Sequence, residues 1–355
     1  MDRGSACYLI IYWRLLRLYI NAVPMTTKSQ HIDRCHFVIF PITLCISAAS
    51  LCISSLVQAK QKNVNPIEVG DVNWSRDYAG ALEDSKINGK PLFILFQEVP
   101  GCLGCRNFGQ NVLTHTLLVE AIEDEFIPVL VFNNKMTGMD GQMLKYFDEP
   151  SWNFQVIRFI DANQKDVIPR RDRVWDIGGV ALQMIKALEA VDRPVPRYLK
   201  AVALEHDTSN LKMAAFAMAC FWTGENKLGK IDGVIQTEAG WFDGREVTLV
   251  TYHTRRIDLA KLVGHAQKEE CAQSVYVETK SEDLEISFPM KQFDSTQYRI
   301  ASEGDQKKQI QRWRHDHKNL YLSPMQMTKL NALMIKNRSE ALSWLSPRQL
   351  KKIKY

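Results

Sequence analysis

The chain has 355 residues, of which 46% are hydrophobic and 24% are charged. This length and composition exclude disorder over most of the chain and leave room for two domains, each with its own core. The formal net charge is +5, but residues 60–355 carry 40 basic and 38 acidic side chains. Such a balanced surface gives no electrostatic footprint for nucleic acid, and we expect no nucleic-acid partner.

Residues 1–59 have the pattern of a leader. Arg34 precedes an apolar run over residues 37–57, and the run ends at Val57-Gln-Ala59. A basic flank, an apolar stretch and small residues at the cleavage point are typical of a secretory signal. The run is close to membrane-spanning length, so an uncleaved membrane anchor is the alternative. We predict a periplasmic or secreted protein, or one anchored in the inner membrane. Residues 8–20 form a second apolar patch, and one explanation is that translation begins at Met25.

A polar linker is predicted over residues 60–70 and a first domain over residues 71–192. Helical spacing occurs in four segments: 74–87, 105–113, 117–125 and 180–191. Buried strands are indicated by continuous apolar runs at 91–96, 127–132 and 154–160, with a hairpin completed at 167–168. The order β-α-β followed by β-β-α predicts an α/β domain around one sheet.

A connector is predicted over residues 193–211, with a helix at 198–205, before a second domain at 212–302. In this domain we predict strands at 213–219, 247–252 and 275–277, with another from 233 to a turn at 240–244. Helical spacing occurs at residues 221–230 and 259–266. The mixture predicts an α+β domain. A C-terminal helical extension is predicted over residues 303–355, with a polar loop at 303–318 and a helical segment at 325–350.

Two of the four cysteines beyond the leader form the dithiol Cys102-Leu-Gly-Cys105. Cysteines three residues apart at a helix start lie on one face, and the helix N-terminus favours the thiolate of the first sulfur. Arg106 would add to this effect and Glu98 would oppose it. We predict that Cys102 attacks and that Cys105 resolves the mixed disulfide. A structural disulfide is one alternative. Half of a zinc site is the other, although no second cysteine pair or close histidine pair completes it.

The strand at 91–96 followed by Gly101-Cys-Leu-Gly-Cys105 resembles the active site of the thioredoxin family. The longer string Glu98-Val-Pro-Gly-Cys-Leu-Gly-Cys-Arg-Asn-Phe-Gly109 is similar to a bacterial branch of thioredoxin-like proteins. Some members of that branch carry selenocysteine where Cys102 stands. The resemblance implies a thioredoxin-like fold and a redox-active dithiol without a cofactor or metal. Val-Pro-Gly replaces the family's usual Trp, and its cis-proline is missing near Asn153.

A second reactive sulfur is predicted at Cys220, which follows a strand and opens a helix in Ala219-Cys-Phe-Trp222. This string resembles the Gly-Cys-Phe-Trp signature of A-type peptide-methionine sulfoxide reductases. The likeness covers residues 212–265, including Ile231-Asp-Gly-Val234 and Gly240-Trp-Phe-Asp-Gly244, with an echo at Thr296-Gln-Tyr-Arg299. It implies a ferredoxin-like α+β domain with Cys220 as the catalytic thiol. It also implies that Phe221 and Trp222 bind substrate, and it places Glu225 at a motif position. The alternative is a structural cysteine with two core aromatics.

The chain departs from this second family between Gly244 and Arg245, where the segment that carries the family's catalytic Tyr and Glu is absent. Gly264-His-Ala-Gln267 is similar to the missing motif but falls in a predicted helix. Cys271 is a candidate resolving thiol or a surface bystander, and neighbouring carboxylates are expected to raise its pKa.

These features predict an exported thiol redox enzyme. In the first hypothesis Cys220 reduces methionine sulfoxide, and the fused dithiol regenerates it. In the alternative the dithiol exchanges disulfides in exported proteins, and the second domain only binds clients. A third hypothesis is a non-catalytic binding module. The expected partners are oxidised proteins and an upstream thiol electron donor.

Overall fold

The computed structural model describes residues 65–151, 155–278, 287–307 and 320–353. The predicted leader at 1–59 and the position near Asn153 lie outside these residues. Within them, no helix combines the length and the apolar character needed to cross a membrane. The predicted order of an α/β lobe followed by an α+β region is confirmed, and the ferredoxin-like form of the second lobe stays a prediction.

The first lobe, residues 65–192, contains these helices and strands: α1 Tyr78–Asn88, β1 Leu92–Gln97, α2 Leu103–Asn111, α3 Thr116–Glu125, β2 Ile127–Phe132, α4 Gly138–Tyr146, β3 Val156–Ile160, β4 Arg171–Asp172 and α5 Ile177–Ala190. A 3-10 turn at Ile67–Val69 precedes them. The sheet order is β2-β1-β3-β4. Strand β1 pairs parallel to β2 and antiparallel to β3, which places it at the centre of the sheet.

Helices cover both faces of this sheet. Phe93 and Leu95 of β1 face a core that includes residues of α2, α3 and α5. Leu92, Ile94 and Phe96 face the opposite core, which includes residues of α1 and α4. All six residues of β1 are buried, as the continuous apolar run predicts for a central parallel strand. The core therefore holds the end of β1 in place, and the dithiol follows that end.

Two features of the first lobe differ from the sequence expectation. The helix predicted from residue 74 begins at Tyr78, because the Asp77 side chain accepts a hydrogen bond from the Gly80 N–H and caps it there. Helix α4 has no predicted counterpart. Its Asp140 side chain is buried, accepts a hydrogen bond from the Phe132 N–H and forms an ion pair with Arg76. A tertiary contact of this kind is not visible in local periodicity.

A buried ionic network ties β3 to the loops around it. The Glu149 carboxylate, whose side chain is 1% exposed, lies 2.8 Å from an Arg158 guanidinium nitrogen and 2.7 Å from Arg170 Nε. Arg158 also donates to Asp166 Oδ2 at 2.5 Å and to the Phe147 carbonyl at 3.0 Å. Both arginine heads are thus satisfied largely by one buried carboxylate.

The second lobe, residues 211–307, follows helix α6 Arg197–Glu205 and a 3-10 turn at Thr208–Asn210. Its elements are β5 Leu211–Ala217, α7 Phe221–Leu228, β6 Val234–Phe242, β7 Arg245–His253, α8 Leu259–Lys268, β8 Ser274–Val277, β9 Met290–Gln292, β10 Arg299–Ile300 and α9 Glu303–Lys307. The sheet order is β10-β6-β7-β5-β8-β9. Helices α7 and α8 pack on the same face, around a core with Phe216, Leu228 and Leu262.

Two segments predicted as loops in the second lobe contain part of a strand or a helix. The turn expected at residues 240–244 is shorter, since β6 continues to Phe242 and the reversal occurs at Asp243 and Gly244, both with positive φ. Asp243 and Gly244 suit the left-handed backbone of a two-residue hairpin turn. The polar segment predicted as a loop from residue 303 begins with α9, and residues 308–319 lie outside the described part.

The C-terminal segment, residues 320–353, is not one helix but three: α10 Pro324–Leu333, α11 Arg338–Leu342 and α12 Pro347–Lys352. Ser323 and Ser346 each begin a helix with a capping box and a proline at its start. These start signals divide the apolar pattern that predicted a continuous helical segment over 325–350.

This C-terminal segment contacts both lobes. Arg348 lies 2.7 Å from the carboxylates of both Glu123 and Asp124 in α3, and the Ser346 hydroxyl bonds the buried Glu120. In the contact with the second lobe, the buried Lys329 ammonium donates to the carbonyl oxygens of Gly229 and Ile231, just after α7, at 2.8 and 2.7 Å. The described residues from 65 to 353 accordingly belong to one compact unit.

Candidate active site

The dithiol lies at the N-terminus of α2, directly beyond the central strand β1. Cys102 is the N-cap residue and is exposed, whereas Cys105 is in the first turn and is buried. Their sulfurs are 3.6 Å apart, within S–H···S hydrogen-bond distance, and both cysteines are free thiols. The sulfur of Cys102 is therefore accessible from outside, and the buried sulfur of Cys105 lies next to it.

The two sulfurs also differ in acidity. Burial raises the pKa of the Cys105 thiol to about 12, and the hydrogen bond and charge of Cys102 act in the same direction. Cys105 thus keeps its proton at neutral pH. Cys105 is therefore a proton donor beside Cys102. It must lose this proton before it can attack as the resolving thiol.

The loop before the dithiol is held closely. The Gly101 N–H donates to Glu68 Oε1 at 3.0 Å, and Gln97 Nε2 donates to the Cys105 carbonyl at 3.1 Å. A Cβ at Gly101 would lie 2.4 Å from the Glu98 carbonyl oxygen, so only glycine allows this approach of the two backbone segments. The loop therefore presents Cys102 in a fixed position.

Apolar side chains surround the accessible sulfur. Leu103 is 72% exposed and Trp175 is 38% exposed. The Trp175 ring packs on Phe108, with ring centroids 6.0 Å apart, and lies against Gly104 between the two cysteines. The position of Trp175 beside the dithiol depends on the return of the chain before α5.

Cys220 occupies the same kind of position in the second lobe. It is the N-cap residue of α7 and is half-buried. The next N–H, that of Phe221, donates to Glu246 Oε2 at 2.9 Å, while the Thr248 hydroxyl donates to the Phe221 carbonyl at 2.9 Å. Glu246 was missed in the sequence. It stands in β7 just past the hairpin of β6 and β7, and the bond from the Phe221 N–H places its carboxylate next to the Cys220 backbone.

Three aromatic rings lie next to this cysteine. Phe221 is buried, and its ring centroid is 5.4 Å from that of Trp222 and 5.9 Å from that of Trp241. Trp222 Nε1 donates to the Asp305 carbonyl at 2.9 Å, which fixes the indole against α9. The sequence identified Phe221 and Trp222, and the structure adds Trp241 from β6.

Glu225 is a buried carboxyl one turn beyond Phe221. It is 4% exposed, and its Oε2 has no hydrogen-bond partner among the described residues. Burial raises the pKa of Glu225 to about 8, and the nearby charge of Glu238 adds to the shift. Glu238 itself accepts a hydrogen bond from the Tyr298 hydroxyl at 2.8 Å. At neutral pH Glu225 is therefore a neutral acid.

The Glu225→Gln variant is expected to remove part of the pH dependence of stability. The pKa of Glu225 is about 8 in the folded protein against an ordinary value of 4.5. Its contribution to the free energy of unfolding is therefore fully present below pH 4.5 and is lost as the pH rises towards 8. Relative to Glu225→Gln, the wild-type free energy of unfolding should fall by roughly 3 kcal/mol between pH 5 and pH 7.5. Urea denaturation at both pH values measures this, with the exposed Glu83→Gln as control. Parallel pH profiles of wild type and Glu225→Gln would contradict it.

Comparison with known proteins assigns the first lobe. The sequence model of a thioredoxin-like family matches residues 73–162. These residues form a thioredoxin-like domain. A solved structure titled "DsbH Oxidoreductase" aligns with 39% of this chain and 98% of its own, at 21% sequence identity and a TM-score of 0.29. No curated protein sequence matches the chain.

The structure separates Cys271 from the other predicted site residues. It is 5% exposed and lies in the core with Leu228 and Leu262, so the expectation of a surface bystander is wrong. Burial, ahead of the Glu269 carboxylate, raises the pKa of its thiol, and Lys227 opposes the rise. Lys227, in the last turn of α7, donates to the Glu269 carbonyl, whereas Cys220 is at the start of that helix. The role of Cys271 as a resolving thiol stays a prediction.

Proposed function

We propose that this protein is a thiol–disulfide oxidoreductase whose thioredoxin-like domain carries out the exchange. The observation that carries the proposal is the dithiol geometry, with an exposed Cys102 at a helix N-terminus and a buried, protonated Cys105 at 3.6 Å. An accessible sulfur beside a protected one suits a two-step exchange.

In the forward direction, the Cys102 thiolate attacks one sulfur of a substrate disulfide. A Cys102–substrate disulfide forms, and the other substrate sulfur leaves as a thiolate. Cys105 then loses its proton and attacks Cys102, which releases the second substrate sulfur and leaves a Cys102–Cys105 disulfide. The substrate gains two electrons and the dithiol loses two. An upstream thiol electron donor must restore the dithiol, and the exposed Leu103 and Trp175 supply apolar contacts for either partner.

A second candidate function, methionine sulfoxide reduction at Cys220, is favoured by the second site. The N–H of Phe221 holds the Glu246 carboxylate beside Cys220, and the rings of Phe221, Trp222 and Trp241 offer an apolar surface for a methyl group. In this reaction the sulfur of Cys220 attacks the sulfoxide sulfur and ends as a sulfenic acid, with methionine released. Two further thiols reduce the sulfenic acid to the thiol and water.

Fusion of the two sites would make the dithiol the local reductant for oxidised Cys220. A tethered partner acts at an effective concentration in the millimolar range for a short connection. We also propose that the protein is exported, as the signal-like or anchor-like pattern of residues 37–59 indicates. In either function its substrates would be oxidised proteins.

Glu246→Gln tests the role of the carboxylate at the second site. If Glu246 supplies the proton for the sulfoxide oxygen, the turnover of dabsyl-methionine sulfoxide should fall by about 10²-fold, the usual contribution of a general acid. The exposed Glu83→Gln should retain wild-type turnover. Equal turnover in Glu246→Gln and wild type would remove Glu246 from the mechanism.

The same assay separates the candidate functions. If the reduced wild-type protein does not turn over the sulfoxide but reduces insulin disulfides through Cys102, the second candidate fails and the oxidoreductase stands. Sulfoxide turnover that requires Cys220 supports the second candidate, and turnover that also requires Cys102 supports regeneration of Cys220 by the dithiol. Inertness towards both substrates favours the non-catalytic binding module.

A further inference from the structure

Three side chains with metal-binding atoms converge at the dithiol. A Glu98 carboxylate oxygen, Cys102 Sγ and Cys105 Sγ all lie within 4.8 Å of one another. Glu98 directly follows β1, and the two cysteines open α2. The sequence placed the Glu98 charge near Cys102 but not its carboxylate beside both sulfurs, because the turn at residues 99–101 sets the direction of the Glu98 side chain.

We propose that the reduced dithiol and Glu98 bind one Zn²⁺ ion, with both sulfurs and one carboxylate oxygen as ligands and a fourth position open to solvent. In tetrahedral zinc sites the Zn–S distance is about 2.3 Å, which places two coordinating sulfurs about 3.8 Å apart. The observed separation of 3.6 Å requires only a small adjustment.

The ligand types select zinc. Thiolates bind both Zn²⁺ and Cu⁺, whereas a carboxylate ligand suits the harder divalent ion. Two thiolates and one carboxylate carry three negative charges, which a divalent cation offsets in large part. Three protein ligands and an open position are the arrangement of an exchangeable zinc site rather than of a closed structural one.

The surroundings hold these ligands in place before any ion arrives. Glu68 accepts the Gly101 N–H, and Gln97 donates to the Cys105 carbonyl. The missing Cβ of Gly101 leaves room for both neighbours, because a Cβ built there would lie 2.4 Å from the Glu98 carbonyl oxygen and 2.7 Å from the Cys105 Cβ. Hydrogen bonds of this kind orient metal ligands and strengthen binding.

Binding is an exchange of protons for metal and involves no oxidation. Two S–H bonds break, two Zn–S bonds form, and as many as two protons pass to the buffer. Cys105, protonated at neutral pH, must contribute one of them. A Cys102–Cys105 disulfide has no thiolate to offer, so the oxidised protein cannot bind the ion in this way. Zinc binding and disulfide exchange thus exclude each other at the same sulfurs.

The test uses the reduced full-length protein, Co²⁺ as an optical probe and Zn²⁺ as its competitor. Thiolate-to-cobalt charge transfer reports coordination by sulfur, and zinc should displace the cobalt at one ion per chain. Cys105→Ser should abolish the signal. Glu98→Gln should weaken zinc binding by at least about 10-fold, whereas the matched exposed Glu83→Gln should not. Cys220→Ser should keep the signal, which excludes the thiol of the second lobe.

Three outcomes would overturn the proposal: no sulfur–cobalt band in reduced wild type, equal affinity in wild type and Glu98→Gln, or unchanged binding after oxidation. Insulin reduction measured without metal tests the proposed function separately. Zinc binding without disulfide exchange would defeat only the oxidoreductase proposal, and disulfide exchange without zinc binding would defeat only the metal site.

Discussion

Cys102→Ser is expected to lower the rate of insulin disulfide reduction by about 10³-fold or more, since loss of a nucleophile removes the whole covalent pathway. Cys102 is the exposed sulfur at the helix N-terminus, and the buried Cys105 cannot replace it. Insulin precipitation with dithiothreitol as the electron donor measures the rate, after subtraction of the rate without protein.

Cys105→Ser gives the matched comparison, because it changes the same dithiol but leaves the attacking sulfur. Cys102 should still attack, and the mixed disulfide should persist because no thiol resolves it. A covalent substrate adduct on a non-reducing gel is then expected with Cys105→Ser and not with Cys102→Ser. Undiminished reduction by Cys102→Ser would show that the exchange takes place at another sulfur.

Glu149→Ala is expected to lower the free energy of unfolding by about 3–5 kcal/mol, the range found when one partner of a buried ion pair is removed. Glu149 accepts hydrogen bonds from Arg158 at 2.9 Å and from Arg170 at 2.7 and 2.9 Å. The Arg158 side chain is only 10% exposed, so its charge would stay buried next to Asp166 alone. Urea denaturation followed by circular dichroism measures the loss.

Glu83→Ala is the control for this substitution. Glu83 pairs with Lys86 at 2.6 Å, but both side chains are exposed, and such pairs contribute about 0–1 kcal/mol. The comparison tests whether burial, rather than the ion pair itself, determines the loss in free energy of unfolding. A similar small loss in both variants would show that water or a neighbour satisfies Arg158 once Glu149 is removed.

Much of the fold follows from local pattern. The apolar runs predicted β1 to within one residue and β2 over the observed range. Strand β1 is apolar throughout because it lies inside the sheet and is covered on both faces. The dithiol and Cys220 were predicted at helix starts from their spacing and flanks, and both are N-cap positions. Helix α4 was not predicted, because the ion pair between its Asp140 and Arg76, which lies just before α1, is a contact between distant parts of the chain.

The rest of each site comes from distant parts of the chain. Glu246 lies beside Cys220 through the hairpin of β6 and β7, and Trp175, which follows β4 in the chain, lies against Gly104 between the two cysteines. Glu98 is close in sequence to Cys102, yet its direction depends on the backbone turn at Gly101. Side-chain direction in a loop is set by tertiary contacts, which periodicity does not report.

The attachment of the C-terminal segment to both lobes affects how the protein unfolds. Arg348 is held by α3, and Lys329 by the end of α7, so neither lobe can melt without releasing the same segment. Unfolding is then cooperative across both halves, and calorimetry should record one transition rather than two. A truncation before residue 320 should uncouple them, and the dithiol and Cys220 would then no longer belong to a single folding unit.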